Sequence, residues 1–375
     1  MKKHALLLKS LIVFFLAILA SSNVSAQFNN FGEVIKAGKE DANILLEEYA
    51  TPLGKAWGAD LAGGWYNTAS THSMLGFDLS FSTSFAKTPD ADLLFDLAEL
   101  ELNKISSATS STEFPTLTNG DDVNSITITE EVYNPNTGQN EEITILPETE
   151  IKGFNVPVGI PMPSLNLGFG LVKNTEIVAR YVPTTGMADF GQIGLWGVGV
   201  KHDVLQWLPI VDKLPILKAS IFLGYTKMNG SFDLTYQPEE IVDNDNGYVN
   251  PENQQLQMET SSFHSALLVG AKLPVIHPYL SFGLSSSNFG MDLAGEYALP
   301  APALDENDTP TGETELRPDD NEVVLQDPLS IDIANGLKPS VAAGLRIKMA
   351  VLTFHGQYTL QEYPMITGGI GISFR

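Results

Sequence analysis

The chain has no cysteine in 375 residues. That excludes disulfides, thiol catalysis, thiolate metal centres and a lipidated cysteine at an export cleavage site. Basic residues are scarce: 21 Lys and Arg stand against 45 Asp and Glu, for a net charge of -24. A surface so poor in cations does not suit a nucleic-acid partner. Long apolar runs are also missing beyond the N-terminus. The one apolar run, Leu11 to Ala20, follows Lys2 and Lys3 and precedes Val24-Ser25-Ala26. Basic start, short greasy run and small-residue tripeptide make residues 1–26 a secretory signal peptide, with cleavage expected before Gln27. No later segment approaches the roughly 20 apolar residues that a spanning helix needs. Any membrane residence of the exported chain therefore has to come from strands.

Strand pattern is abundant. In the terminal stretch MITGGIGISFR, Ile366, Ile370, Ile372 and Phe374 share one parity, and Thr367, Gly369, Gly371 and Ser373 the other. Successive strand residues face opposite sides, so this segment has one greasy face and one small or polar face. The same alternation starts near Ser73 and recurs around residues 165–171, 177–181, 191–201, 217–226, 263–272, 277–299, 341–348 and 352–360. Apolar faces opposite polar faces, with no helical layer to cover either, predict an all-β fold, a transmembrane antiparallel barrel of about ten strands. Twelve strands is the alternative, if the first long insert conceals a barrel hairpin. A soluble β-sandwich would alternate as well, but it would not explain where the charge lies. Twenty-nine of the 45 acids fall in residues 88–160, 238–258 and 299–336. Alternating the connections from the C-terminus backward puts all three segments on one side, as long outer loops, with short turns opposite.

The expected organisation is a signal peptide over 1–26, an N-terminal helix and plug over 27–70, and an outer-membrane barrel over 71–375. Ile35, Ala42, Leu45 and Tyr49 are near helical spacing, and Pro52 marks the end of that pattern. Residues 52–70 are rich in Gly and Ala, which suits close packing inside a barrel. The first insert carries an expected amphipathic helix, PDADLLFDLAELELNKI, and β-like pieces around ITITEEVY and EEITIL.

Two resemblances carry further expectations. KHDVLQWLP (Lys201 to Pro209), the downstream KLP and GYTK, and the terminal KMAVLTFHGQYTLQEYPMITGGIGISFR resemble an uncharacterised family of outer-membrane β-barrel proteins of the Bacteroidota. That resemblance covers nearly the whole mature chain and implies a fold and a location. Pro52-Leu53-Gly54-Lys55-Ala56-Trp57-Gly58 is similar to the N-terminal hatch of the FadL/TodX channels for fatty acids and hydrocarbons. Its glycine spacing departs by one residue. This similarity implies a plug built on Pro52, Gly54, Lys55, Ala56 and Gly58.

Parity places Asp78, Glu176, Arg180, Lys218, His264, Lys272, His277, Arg346, Lys348 and His355 on the lumen wall. A serine beside one of those histidines would permit hydrolase chemistry, but no local motif specifies it, so no catalytic residue is assigned and an enzyme is not expected. Lys201, His202, Asp203, Trp207 and Pro209 belong to an interfacial connection on the short-turn side, read as a short helix with Asp203 as N-cap. Asp243, Asp245 and Gly247 lack the ligating glutamate of a calcium loop, so no metal or other cofactor is expected. Expected partners are outer-membrane lipid, the barrel-assembly machinery through a last strand ending in Phe374-Arg375, and a hydrophobic small molecule. The functional expectation is a passive channel for small hydrophobic compounds. The alternative is a structural or surface-interaction barrel with acidic outer loops and no transport.

Overall fold

The computed structural model describes residues 33–154, 158–186, 191–208, 216–233, 254–298, 301–315 and 324–374. The signal peptide, Pro209, Asp243, Asp245, Gly247 and Arg375 lie outside the described residues.

Ten strands form the wall: β1 (Phe77–Ala86), β2 (Ile160–Gly170), β3 (Thr175–Gly186), β4 (Gln192–Asp203), β5 (Leu217–Asp233), β6 (Gln255–Ala271), β7 (Ile276–Ala294), β8 (Leu329–Met349), β9 (Leu352–Leu360) and β10 (Met365–Phe374). Each pairs antiparallel with its sequence neighbour, and β1 closes the barrel on β10, Phe77 facing Phe374 and Ala86 facing Met365. Closure leaves no unpaired edge. The outer face is apolar all round: Phe169, Ile177, Trp196, Val198, Ile221, Phe263, Phe282, Val341, Phe354 and Ile370 all point outward and are exposed. A soluble domain does not expose a continuous belt of this kind, so lipid is its solvent and the fold is a transmembrane barrel.

The first insert adds no barrel strand. Its β-like pieces form a hairpin, Asn124–Asn134 with Gln139–Ile151, joined by Ile105–Ser107 in a separate three-stranded sheet at the long-loop end. The wall therefore has ten strands, not twelve. The amphipathic helix expected over PDADLLFDLAELELNKI is absent. That stretch holds two single 3-10 turns, Asp90–Asp92 and Leu97–Glu99, flanking Leu94–Asp96, which pairs with Glu113–Pro115. Phe95 and Leu97 are drawn into the apolar cluster beneath the loops, so tertiary burial overrides helical periodicity here.

β8 begins well inside the segment expected to be loop. Its inward residues are odd-numbered from Leu329 to Asn335 and even-numbered from Lys338 to Lys348. The pairing with β7 slips at that point. A β-bulge inserts one residue and reverses which parity faces inward, which hides the first seven residues of the strand from a search for uniform alternation.

Helix α1 (Lys39–Ala62) lies within the barrel and its long-loop extension. Gly38, at φ 89°, starts it by turning the chain out of the 3-10 turn Ile35–Ala37. The helix runs through Pro52, contrary to the expected break there. Proline removes one intrahelical hydrogen bond, and α1 tolerates the loss because from Thr51 to Ala62 no residue is exposed. Ala42, Leu45, Leu46, Tyr49, Leu53, Ala56 and Asp60 share one buried face, and Pro52, Gly54, Gly58 and Ala62 are buried on other faces. Its upper half meets the extended walls of β6, β7 and β8, where Leu256, Met258, Phe289, Met291, Leu293, Leu329 and Ile331 point inward. Lower on β7 the inward residues become Ser287, Ser285, Ser281, Tyr279 and His277. The lumen is thus a hydrophobic core toward the long loops and a polar one toward the short turns.

Candidate functional site in the barrel lumen

From Gly63 the chain leaves α1 and descends through the polar half of the lumen to the short-turn end, where β1 begins. Four sets of contacts hold this descent against the wall. The first is at the helix C-terminus, where carbonyls lack intrahelical partners and the macrodipole is negative. Arg180 of β3 donates there, Nη1 to Leu61 O at 2.9 Å and Nη2 to Gly63 O, while Nε donates to Asn166 Oδ1 at 3.1 Å. Its guanidinium lies 4.1 Å from the centre of the Trp65 ring. Asp60, 1 % exposed, is buried nearby.

The second set is aromatic. Trp65 and Tyr66 each lie 5.4 Å, ring to ring, from Phe222 of β5. Tyr66 Oη is 3.2 Å from His264 Nε2 and from Ser281 Oγ. The third set is a closed triangle. Arg346 Nη2 donates to Asp78 Oδ2 at 2.8 Å, Arg346 Nη1 to Asn67 Oδ1 at 2.8 Å, and Asn67 Nδ2 to Asp78 Oδ1 at 3.3 Å. In the fourth, Glu176 Oε2 accepts from the His72 backbone N–H at 2.9 Å and lies 2.8 Å from His72 Nδ1. Glu176 Oε1 pairs with Lys201 Nζ at 3.2 Å, and His72 Nε2 is 3.1 Å from Ser373 Oγ. Of the lumen histidines around which a serine was expected, His355 has one, with Nε2 3.1 Å from Ser82 Oγ, and the His72–Ser373 contact is a second that was not expected. Both serines are at most 2 % exposed.

The hatch-like segment sits midway along α1. A Cβ on Gly54 would come within 2.8 Å of the Phe289 ring, and one on Gly58 within 2.0 Å of Ser287 Oγ. The backbone of α1 therefore reaches the wall only because both positions lack a side chain. Pro52 and Ala56 are buried beside them. Lys55 turns to the outer mouth, 3.5 Å from Asp92 and 3.7 Å from Glu362. There Tyr363 Oη donates to Asp92, and burial with that neighbouring carboxylate pushes the phenol pKa up.

Two expected placements need correction. Lys201 is not interfacial: odd-numbered residues of β4 point inward, and Lys201 is 2 % exposed against Glu176. Lys272 is not inside the lumen; it is exposed in the turn after β6, at the rim of the short-turn mouth. Of the connection expected as a short helix, the described part up to Leu208 holds the 3-10 turn Leu205–Trp207. Asp203 Oδ1 accepts from Leu205 N at 2.9 Å, Trp207 Nε1 donates to His202 Nε2 at 3.0 Å, and Trp207 is exposed. Asp60, Trp65, Tyr66 and Asn67 were missed by sequence reasoning. The one available signal was that Asp60 is the sole acid between Glu48 and Asp78.

Below the descent lies a cavity of about 620 Å³. It opens at the short-turn end and is lined by His277, Lys272, Arg346, Lys348, Ser70 and Ser373, among others. Higher up, one gap between the descending chain and the wall and another between α1 and the wall are about 20 Å³ each, room for roughly one water each. Among the described residues no group of three His, Asp or Glu is placed to hold a metal ion.

Closed wall, apolar outer belt and occupied lumen define a ten-stranded barrel of outer-membrane type. The chain belongs to the family of unknown function DUF6588, whose model matches residues 1–374. No curated protein matches the sequence. Among solved structures, the chain is similar to the outer-membrane protease OmpT of Escherichia coli, at 9 % identity and TM-score 0.31, over 82 % of this chain and 100 % of that one. It is also similar to Ail, the attachment invasion locus protein of Yersinia pestis, at 5 % identity and TM-score 0.24, over 80 % and 95 %. A mutant of the TodX monoaromatic hydrocarbon channel matches at 8 % identity and TM-score 0.24, over 81 % and 67 %.

Proposed function

We propose that this protein is a self-plugged outer-membrane barrel, closed at rest by residues 33–72 and presenting its acidic loops to the outside. The observation that carries the reading is the lumen itself: α1 and the descent occupy it, and above the mouth cavity two gaps beside them are about 20 Å³ each. Residues 1–26 export the chain and are removed before Gln27. Outer-membrane lipid covers the apolar belt, the short turns face the periplasm, as in this barrel class, and the assembly machinery recognises the last strand through Phe374-Arg375. The role is that of a structural or surface-interaction barrel rather than an open pore. Purified mature protein in planar bilayers tests this. Wild type is expected to give no steady conductance, and a variant lacking residues 33–72 to give discrete steps. Steady conductance of the wild type would overturn the reading.

A second reading, a passive channel for small hydrophobic compounds, draws on the position of Pro52–Gly58 within the lumen, where the hatch similarity puts a plug. It requires α1 to move. Its own test is uptake of a radiolabelled long-chain fatty acid by expressing cells, with and without the Gly58→Val substitution.

A further inference from the structure

Charge in this acidic chain is reversed at one place. At the short-turn mouth Lys272, Arg346 and Lys348 line the open cavity of about 620 Å³, together with His277. Lys218 stands beside them on β5, pointing inward. The cations are close enough to feel one another: partial burial first, then the charges of Lys218 and Arg346, pushes the Lys272 ammonium pKa down. The acids nearby are already engaged, Asp78 by Arg346 and Asn67, and Glu176 by Lys201 and His72. Among the described residues no carboxylate pairs with Lys218, Lys272 or Lys348. Like charges held together cost free energy. An anion relieves that cost.

The cavity also has an apolar side. Ile216, Leu273 and Pro274 line it, and Ile216 and Leu273 are among the exposed large apolar residues of the barrel. The ligand surface thus combines a cluster of ammonium and guanidinium groups, Ser70 and Ser373 hydroxyls, and an apolar lip toward the lipid-facing wall.

We propose that this mouth cavity binds a phosphate ester. Several converging cations suit a phosphate, which carries more than one acceptor oxygen and takes hydrogen bonds from Arg and Lys together. The phosphate has two possible sources, a free phosphorylated solute and the headgroup of an anionic phospholipid seated against the apolar lip. The site does not depend on whether the barrel conducts.

Isothermal titration of the mature, full-length protein in nonionic detergent at low ionic strength tests the proposal. The probes are inorganic phosphate and dihexanoylphosphatidic acid, with dihexanoylglycerol as the uncharged control. Saturable binding of phosphatidic acid is expected, weakened at least about tenfold in a Lys272→Gln/Lys348→Gln double variant. A Lys272→Arg/Lys348→Arg variant is expected to retain it. Heat-modifiable migration on gels verifies that each variant has folded. Binding of both phosphate probes assigns the site to phosphate alone, and binding of the lipid probe only assigns it to a headgroup. Absence of saturable binding to either probe, equal binding by folded wild type and the Gln variant, or equal binding of dihexanoylglycerol would overturn the proposal.

Discussion

Arg180 on β3 donates two hydrogen bonds to the end of α1, at Leu61 O and Gly63 O, and so closes the helix from the barrel wall. The contact joins a cation to the negative end of a helix dipole and to two carbonyls that no backbone group could reach. Asp60 is buried nearby. Replacing Arg180 by Met takes the side-chain donor from Gly63 O and Asn166 Oδ1 and leaves Leu61 O only the Thr226 hydroxyl at 3.3 Å. Leaving a buried polar group without its partner costs about 1–3 kcal/mol. Arg180→Met is therefore expected to unfold at clearly lower urea than wild type by gel mobility, and to admit protease into residues 33–72.

The outer mouth supplies a contrast. Lys55 pairs with Asp92 and Glu362 at 3.5 and 3.7 Å, with about a quarter of its side chain exposed. Partly solvated pairs of this length contribute at most about 1 kcal/mol. Lys55→Ala is expected to leave the unfolding midpoint within about 1 kcal/mol of wild type. A loss as large as that of Arg180→Met would show that the plug is held from the outer end instead.

Close approach of α1 to β7 depends on Gly58. Valine there would drive its Cβ into Ser287, whose Oγ lies 2.0 Å away. Overpacking of this kind costs about 1–3 kcal/mol. Gly58→Val is expected to destabilise the plugged state by that amount, and Ser287→Gly in the same chain to restore much of it. Additive losses in a double-mutant cycle would place the two residues out of contact.

The apolar belt makes its own demand. Ile370 points outward from β10 with 54 % exposure. A lysine on the lipid face near the bilayer midplane costs about 2–4 kcal/mol. Ile370→Lys is expected to lower the unfolding free energy by that order in lipid vesicles. An unchanged value would mean that this face does not meet hydrocarbon.

How much of this was legible in the residues follows from the physics of each element. Strands with one lipid face announce themselves by period two, so β10, β9 and β7 stand out in the sequence. β4 is blurred because Gly197 and Gly199 take inward positions that Trp65 and Phe222 fill from elsewhere. β8 is cut short because its bulge reverses parity midway. Lumen residues such as Asp78, Arg180 and Arg346 follow from strand parity alone, since a wall residue has only two directions to choose from. Their partners do not. Asp60, Trp65, Asn67 and His72 lie on a segment with no period, and only the closed barrel brings them within reach of residues 100 to 300 positions away. Pro52 misled for a related reason, because its local cost is outweighed once the helix is enclosed.

The central claim is that residues 63–72 run inside the barrel. The absence of native cysteine makes a single introduced pair unambiguous. Ala69 of the descent faces Gly270 of β6, where a Cβ on Gly270 would lie 3.1 Å from that of Ala69. That is a few tenths of an ångström inside the usual disulfide range. Ala69→Cys/Gly270→Cys, oxidised in intact outer membranes, is expected to form an intrachain disulfide that alters non-reducing gel mobility, with neither single variant doing so. If the pair stays reduced while the barrel remains heat-modifiable and folded, the descending segment lies elsewhere and the account of a self-plugged barrel is contradicted.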